Sequence, residues 1–133
     1  MRYMLDTNIC IYAIKKKPKE VIEQLLKHCE DEYFISVITY SELIYGAEKS
    51  SMPERNKVAI NTFLSNITIL NFDSIAGNEF GRIKSQLENR GQIIGTMDML
   101  IAAHAISSKC VLVTNNEREF NRVSGLIVEN WAR

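Results

Sequence analysis

The chain has 133 residues, of which 46% are hydrophobic and 24% are charged. These values are typical of one globular domain, so we expect a single domain over residues 1–133. No apolar run approaches the roughly 20 residues of a bilayer span, and the start lacks a signal-peptide pattern, so we expect a cytoplasmic protein without a membrane segment. Cys10, Cys29 and Cys110 lie far apart, which argues against a disulfide framework or a structural zinc site and favours buried free thiols.

The formal net charge is zero, so the chain lacks the basic surplus of many nucleic-acid-binding proteins. Acidic residues gathered in one site would cancel basic residues on a surrounding surface, so a basic surface is not excluded. The lysine run is also typical of a solvated helix end. The basic residues that could form such a surface are Lys15, Lys16, Lys17 and Lys19, and later Arg82, Lys84 and Arg90.

The first part of the chain alternates short apolar runs with helical patterns. A strand is predicted over residues 3–5, followed by Asp6 and a helix that ends within 15–18. Apolar residues at 21, 25, 26 and 29 predict a second, amphipathic helix, and the aromatic and β-branched run 33–37 predicts a buried strand. Thr39 is the predicted N-cap of the next helix, which contains Glu42.

The later part of the chain continues this alternation. Pro53 is predicted to open a helix, and a strand is predicted over 67–70. A long helix over 74–90 is expected to end at Gly91, and a helix starting at Gly95 contains Asp98. Strands follow at 110–114 and 126–128. Continuous apolar strands alternating with helices predict the α/β class, a central parallel sheet with helices on both faces.

Four acidic residues follow predicted strands or open predicted helices: Asp6, Glu42, Asp98 and Glu119. In a parallel sheet the ligand crevice lies beyond the carboxyl ends of the strands. Carboxylates that converge there repel each other unless cations neutralise them. Because no His or Cys accompanies them at ligand spacing, the donor set favours Mg²⁺ or Mn²⁺, ions that activate water for attack on phosphate esters.

Each acid also has a purely structural interpretation. Thr39 with Glu42, and Thr114 with Glu117, fit the capping-box pattern at a helix start. The other acids could order a turn, complement a helix dipole or lie on the solvated surface. His104 lies off the helical face of Asp98, so we expect it to be a core or surface residue. The residues alone leave both interpretations open.

Four segments of the chain, taken in order, resemble the sequence blocks of one known family. They are residues 3–8 (YMLDTN), 36–50 (SVITYSELIYGAEKS), 94–105 (IGTMDMLIAAHA) and 113–120 (VTNNEREF). Together they cover essentially the whole chain, and they resemble PIN domains, especially the VapC toxins of toxin–antitoxin systems. The pattern is most similar to the enteric-type VapC branch.

This resemblance implies a PIN fold and an endoribonuclease that depends on Mg²⁺ or Mn²⁺, with Asp6, Glu42 and Asp98 as metal ligands. It further implies neutralisation by a VapB antitoxin, a homodimer through the helices after Thr39 and Pro53, and a higher assembly with the antitoxin. The implied substrate is RNA, specifically tRNA, with the anticodon region of initiator tRNA as the site of cleavage.

One position departs from the family pattern. Many members have a fourth acid two residues after the strand-ending Thr114, where this chain has Asn116, and Glu119 is the candidate replacement. The number of bound ions is therefore open. Thr7, Asn8 and Thr114 are candidates for orienting ligands or phosphate.

Three alternatives to a toxin remain at this stage. A PIN nuclease of RNA processing would share every acid. A degenerate PIN-like module that binds RNA or protein without cutting is favoured by Asn116 alone. A phosphatase with an aspartate nucleophile also opens on a strand and Asp-Thr, but its second acid would stand where this chain has Asn8.

Overall fold

A sheet of five parallel strands lies at the centre of the computed structural model, which describes all 133 residues. The strands are β1 (Arg2–Leu5), β2 (Glu32–Ser36), β3 (Thr68–Leu70), β4 (Val111–Val113) and β5 (Val128–Glu129). The helices are α1 (Thr7–Lys15), α2 (Lys19–Lys27), α3 (Val37–Glu48), α4 (Pro53–Phe63), α5 (Ser74–Asn89), α6 (Thr96–Ser107) and α7 (Glu117–Phe120), with a 3₁₀ turn over Leu64–Asn66.

The strand order is β3-β2-β1-β4-β5, so the first strand occupies the centre of the sheet. Tyr3 is in register with Tyr33 on one side and with Val111 on the other. Since all neighbouring pairs are parallel, the carboxyl ends of β1, β2 and β4 meet at one edge. The predicted α/β class with a parallel sheet is confirmed.

Successive residues of β1 pack on opposite faces of the sheet, as the pleat requires. Tyr3 and Leu5 belong to a cluster that also contains residues of α1, α3 and α4, whereas Met4 belongs to a cluster with residues of α5 and α6. Met4 and Leu5 are completely buried. Burial of each such side chain contributes about 1.5–3 kcal/mol to folding. The sheet thus carries a hydrophobic core on each face, which explains why its strands are apolar without alternation.

Several local predictions are confirmed. Pro53 is the first residue of α4, as predicted. The long helix α5 ends at Asn89, one residue before its predicted end. Gly91 follows with a φ of 64°, a conformation that favours glycine. The first helix ends at Lys15, as predicted. None of the seven helices combines the length and apolar content that a membrane span requires.

Four local predictions are wrong. The N-cap of α3 is Ser36, whose side chain accepts a hydrogen bond from the amide of Ile38 at 3.0 Å, and Thr39 is the third residue of the helix. The strand before it therefore ends at Ser36 rather than at residue 37. The predicted apolar face of α2 fails at Leu26, which is 69% exposed, and at Cys29, which is also exposed. Only two of the three thiols are therefore buried.

Candidate functional site

Asp6 lies directly after the central strand and is almost completely buried. It is the N-cap of α1: its Oδ1 accepts a hydrogen bond from the amide of Ile9 at 2.9 Å. Its Oδ2 accepts a hydrogen bond from the hydroxyl of Thr114, which follows β4. The carboxylate is therefore held from two neighbouring strand ends. The turn-ordering role and the site role that the sequence left open are compatible in one residue.

Thr114 is also buried and links two loops. Its Oγ1 donates to Asp6 and accepts from the amide of Asn116 at 2.9 Å. The capping box predicted for Thr114 and Glu117 is therefore wrong, because α7 has no side-chain N-cap. Glu117 instead bonds to Asn130 and pairs with Arg133, which agrees with the structural role expected for it.

Glu42 lies in the second turn of α3 and faces the first turn of α1. The hydroxyl of Thr7 donates to its Oε1 at 2.6 Å. The capping box predicted for Thr39 and Glu42 is wrong, since Ser36 caps this helix. The hydroxyl of Thr39 is instead buried without a hydrogen-bond partner. Glu42 therefore does not cap α3, and its carboxylate is oriented by Thr7, the residue next to Asp6.

Asp98 lies in the first turn of α6, which begins after Gly95. Burial raises the pKa of its carboxyl above the ordinary value, and the nearby charges of Glu119 and Glu42 raise it further. Glu42, Asp98 and Glu119 are therefore close enough for the charge of each to affect the others.

The region after β4 contributes Asn116 and Glu119. The carboxamide of Asn116 donates to Oε2 of Glu119 at 3.1 Å. Asn116 lines the cavity described next, whereas Glu119 does not. Asn116 thus takes part in the cavity wall, and Glu119 supports it from behind.

A polar cavity of about 140 Å³ opens at the carboxyl edge of the sheet. One apolar side chain, that of Ile101, takes part in its wall. Of the predicted residues, Thr114 and Glu119 lie outside the lining, as supports behind it. The lining residues are Asp6, Thr7, Asn8, Glu42, Asp98, Ile101 and Asn116.

The electrostatics of this cavity are unfavourable for acids alone. Burial raises the pKa of Asp6 from 3.8 to about 6, and the charges of Asp98 and Glu42 add to the rise. The hydrogen bonds from Thr114 and Ile9 oppose the rise without cancelling it. A cation placed in the cavity would relieve both the desolvation and the repulsion.

The side chains nevertheless do not form a closed metal cage, because no three His, Cys, Asp or Glu side chains are gathered closely enough to hold an ion by themselves. Mg²⁺ usually keeps several waters and binds through one or two protein carboxylates together with substrate phosphate. The lining offers oxygen donors only, from carboxylates, carboxamides and a hydroxyl. This donor set fits Mg²⁺ or Mn²⁺ and not a zinc site.

Sequence reasoning missed one buried polar link near this site. His104 on α6 is 2% exposed, and its Nδ1 lies 2.7 Å from the hydroxyl of Ser36, the cap of α3. Burial lowers the pKa of its imidazole, which favours the neutral ring. Its position as a core residue agrees with our expectation. The link joins the helix that carries Asp98 to the start of the helix that carries Glu42, and no spacing rule predicts such a contact.

Comparison with known proteins assigns the family. The PIN domain matches residues 3–126. The chain is 47% identical to the tRNA(fMet)-specific endonuclease VapC of Shigella flexneri, with 99% of both chains covered. It is 48% identical to Ribonuclease VapC2 of Haemophilus influenzae, with 98% of both chains covered. The structure of VapBC2 from Rickettsia felis, bound to a DNA fragment from its promoter, superposes with a TM-score of 0.93 at 42% identity, covering 98% of this chain and 99% of that one.

The match of the whole chain, the parallel sheet with Asp6 at the end of its central strand, and the similarity to several VapC enzymes agree with one another. The resemblance drawn from the four sequence segments is confirmed. The chain belongs to the PIN-domain family of nucleases and, within it, to the VapC ribonucleases.

Proposed function

We propose that this protein is a divalent-metal-dependent endoribonuclease toxin that acts in the cytoplasm and cleaves tRNA, with the anticodon loop of initiator tRNA as its target. The observation that carries the proposal is the convergence of Asp6, Glu42 and Asp98 on one polar cavity, with Asp6 buried and its pKa raised to about 6. Such a constellation is costly for folding and is typical of a functional site.

Asp6, Glu42 and Asp98 are the residues that would hold the ion, with the carbonyl oxygen of Asn116 as a further donor. A bound Mg²⁺ or Mn²⁺ neutralises charge on the scissile phosphate and lowers the pKa of a water molecule. The side-chain NH₂ group of Asn116 donates a hydrogen bond to the carboxylate of Glu119. This leaves the carbonyl oxygen of Asn116 free to face the cavity.

The protein's own residues fix the carboxylates before substrate arrives. Asp6 is held by the Ile9 amide and the Thr114 hydroxyl, and Glu42 by the Thr7 hydroxyl. Prior positioning of charged groups accounts for much of the rate enhancement in phosphoryl chemistry. Asn8, at the rim of the same cavity, offers an amide donor to a phosphate oxygen.

The substrate proposal rests on the relatives together with the openness of the site. The Shigella flexneri relative is named for cleavage of tRNA(fMet). The cavity opens at the surface rather than inside a closed channel, which suits an unpaired RNA loop whose bases are splayed outward.

A VapB antitoxin is the proposed partner. An apolar groove of about 360 Å³ runs between α1, α3 and α4 and reaches Glu42 at the catalytic cavity. Its walls include Ile11, Ile14, Leu43 and Ile60. An apolar antitoxin segment laid in this groove would bring its following residues onto the acidic cavity and block it. Solved relatives of this fold include the VapBC2 complex from Rickettsia felis.

We also propose a homodimer through α3 and α4. Tyr45 and Val58, on these helices, are 65% and 66% exposed, and Met52 between the helices is 50% exposed. Monomeric proteins rarely expose several large apolar side chains on one surface, so such a group is typical of a protein interface. Light scattering at micromolar concentration should give twice the mass of the chain, and Tyr45→Glu should return it to the monomer.

The test of the activity is incubation of total bacterial tRNA with the purified protein, with Mg²⁺ or with EDTA, followed by mapping of the new 5′ ends. We expect discrete ends in one tRNA, produced only with the metal and absent in Glu42→Gln. Glu23→Gln, the same chemical change at an exposed residue of α2 outside the cavity lining, is the matched control and should cleave normally. Intact tRNA under every condition would contradict the proposal, and cleavage in EDTA would contradict the metal site.

A further inference from the structure

An arginine of α5 and the arginine that directly follows α5 donate to the turn between α7 and β5, and a third arginine belongs to that turn. The guanidinium of Arg82 donates to the backbone carbonyl of Ser124 at 3.4 Å, and that of Arg90 donates to the Ser124 hydroxyl at 3.3 Å. Arg122, two residues earlier, donates to the carbonyl of Ile93 at 3.3 Å. We call Arg82, Arg90 and Arg122 the arginine cluster. Two of its members are among the basic residues that the sequence singled out.

The charge of this cluster is only partly compensated. Arg82 pairs with Glu79 at 2.8 Å. Neither Arg90 nor Arg122 has a carboxylate within 4.0 Å. Each guanidinium has five N–H donors, and these two residues use one each on uncharged oxygens. Like charges brought together at a surface repel each other, so the arrangement favours an anion that would take the unused donors.

The cluster lies beside the catalytic cavity. Arg122 contacts the carbonyl of residue 93, and two residues further on, a Cβ placed on Gly95 would lie 3.7 Å from Oδ2 of Asp98. Because two residues span at most roughly 7 Å, the guanidinium of Arg122 lies within roughly 15 Å of the Asp98 carboxylate. This separation suits a phosphate a few nucleotides from the cleaved bond.

Two exposed apolar side chains lie between the cluster and the cavity, one in the loop before α6 and one in the first turn of α6. Ile93 is 49% exposed and Met97 is 50% exposed, and both stand next to the residues just described. Exposed apolar side chains offer nonpolar contact to the faces of unpaired bases, and guanidiniums without a carboxylate partner offer charge to the backbone and a plane on which a base can stack. An acidic peptide would use the charge alone, so the combination favours a nucleic acid strand.

We propose that the arginine cluster, with Arg90 and Arg122 as its principal members, binds backbone phosphate of the RNA on the α5–α6 side of the cleavage site. The inference rests on the proposed ribonuclease function and extends it by assigning a second contact region outside the catalytic cavity. Phosphate contacts of this kind position a substrate and carry no base specificity. Their loss should weaken binding and leave the chemical step intact.

The experiment measures binding of initiator tRNA transcript by fluorescence anisotropy between 50 and 200 mM salt. All proteins carry Asp6→Asn so that the RNA stays intact. Against that background we measure Arg90→Gln and Arg122→Gln. The matched control is Arg55→Gln, because Arg55 is an exposed arginine on α4 that donates a hydrogen bond to the sulfur of Met52. Each cluster change should reduce the slope of log affinity against log salt by about 0.7–0.9, the value for one lost phosphate contact. The control should leave the slope unchanged.

A second readout separates RNA contact from mere loop support. In the otherwise native enzyme, Arg122→Gln should raise KM for tRNA several-fold while kcat stays near the native value. Arg122→Lys, which keeps the charge, should restore most of the slope. Thermal melting checks that the variants remain folded.

The outcomes are distinct for the two proposals. Unchanged salt slopes with normal tRNA cleavage would overturn the arginine proposal and leave the ribonuclease intact. Reduced slopes with no cleavage by the native protein would overturn the ribonuclease and support an RNA-binding surface. If poly-glutamate at equal charge concentration displaces the RNA from the same arginines, the surface binds acidic protein as well as it binds RNA, and the proposal fails.

Discussion

Replacing Asp6 by asparagine should make the metal-free protein more stable while removing its activity. The pKa of Asp6 is about 6 in the folded chain against 3.8 for the exposed residue, chiefly because of burial. At about 1.4 kcal/mol per pKa unit, this difference corresponds to about 3 kcal/mol of destabilisation once the carboxyl is ionised in both states. Asparagine can still accept from the Ile9 amide but leaves the Thr114 hydroxyl without its acceptor, which costs about 1 kcal/mol. The net gain is therefore about 2 kcal/mol near neutral pH.

The pH dependence follows from the sign of the shift. Because the folded pKa is raised, the unfolded chain releases this proton first, so stability falls as pH rises from about 4 to about 6 and is level above that. The ionisation penalty of Asp6 is about 3 kcal/mol at pH 8 and about 1.6 kcal/mol at pH 5, so the net advantage of Asp6→Asn should fall from about 2 to about 0.6 kcal/mol. Urea unfolding in EDTA at these two pH values measures it. Equal stability of the two proteins at pH 8, or an advantage that grows at pH 5, would refute the argument that Asp6 is a strained buried carboxylate.

Other predictions concern residues around and beyond the cavity. Thr39→Val should stabilise the chain by about 1 kcal/mol in urea unfolding, because the buried hydroxyl has no partner; a loss of stability would mean that this hydroxyl is bonded. Asn116→Asp should lower the melting temperature in EDTA and raise it more than in the native protein on addition of Mn²⁺, since it adds a carboxylate to the lining; an unchanged response to Mn²⁺ would remove residue 116 from the ion site. Gly81→Ala should gain about 0.5–1 kcal/mol, since Gly81 is interior to α5 with free space around its Cβ position, whereas Gly91→Ala should lose about 1 kcal/mol because of its positive φ; the same sign for both changes would contradict the backbone argument.

The sequence predicted the elements that local patterns define and failed where a distant partner decides. The start of α4 at Pro53 and the end of α5 just before Gly91 follow from the backbone preferences of single residues. The N-cap of α3 was misplaced because Ser36 ends a strand and opens a helix without a turn between them. A buried Ser followed by three β-branched residues, Val37, Ile38 and Thr39, has the local pattern of a continuing strand.

The acids of the site were predicted from their places after strands, and the structure gathers Asp6, Glu42 and Asp98 at one cavity. Their supports could not be predicted in the same way. Thr114 reaches Asp6 across 108 positions of sequence, and His104 reaches Ser36 across 68. These contacts form because the sheet brings the ends of neighbouring strands together. The spacing of residues along the chain therefore does not predict them.

The central claim is that the acids around this cavity hold a divalent ion that RNA cleavage requires. Its most direct test is the rate of initiator tRNA cleavage at pH 7.5 as Mg²⁺ is raised from zero, compared between the native protein and folded Asp6→Asn. The account predicts a rate that saturates with Mg²⁺ in the native protein and stays at background in the variant at every concentration. Cleavage by the variant at a comparable rate, or a native rate independent of Mg²⁺, would contradict it.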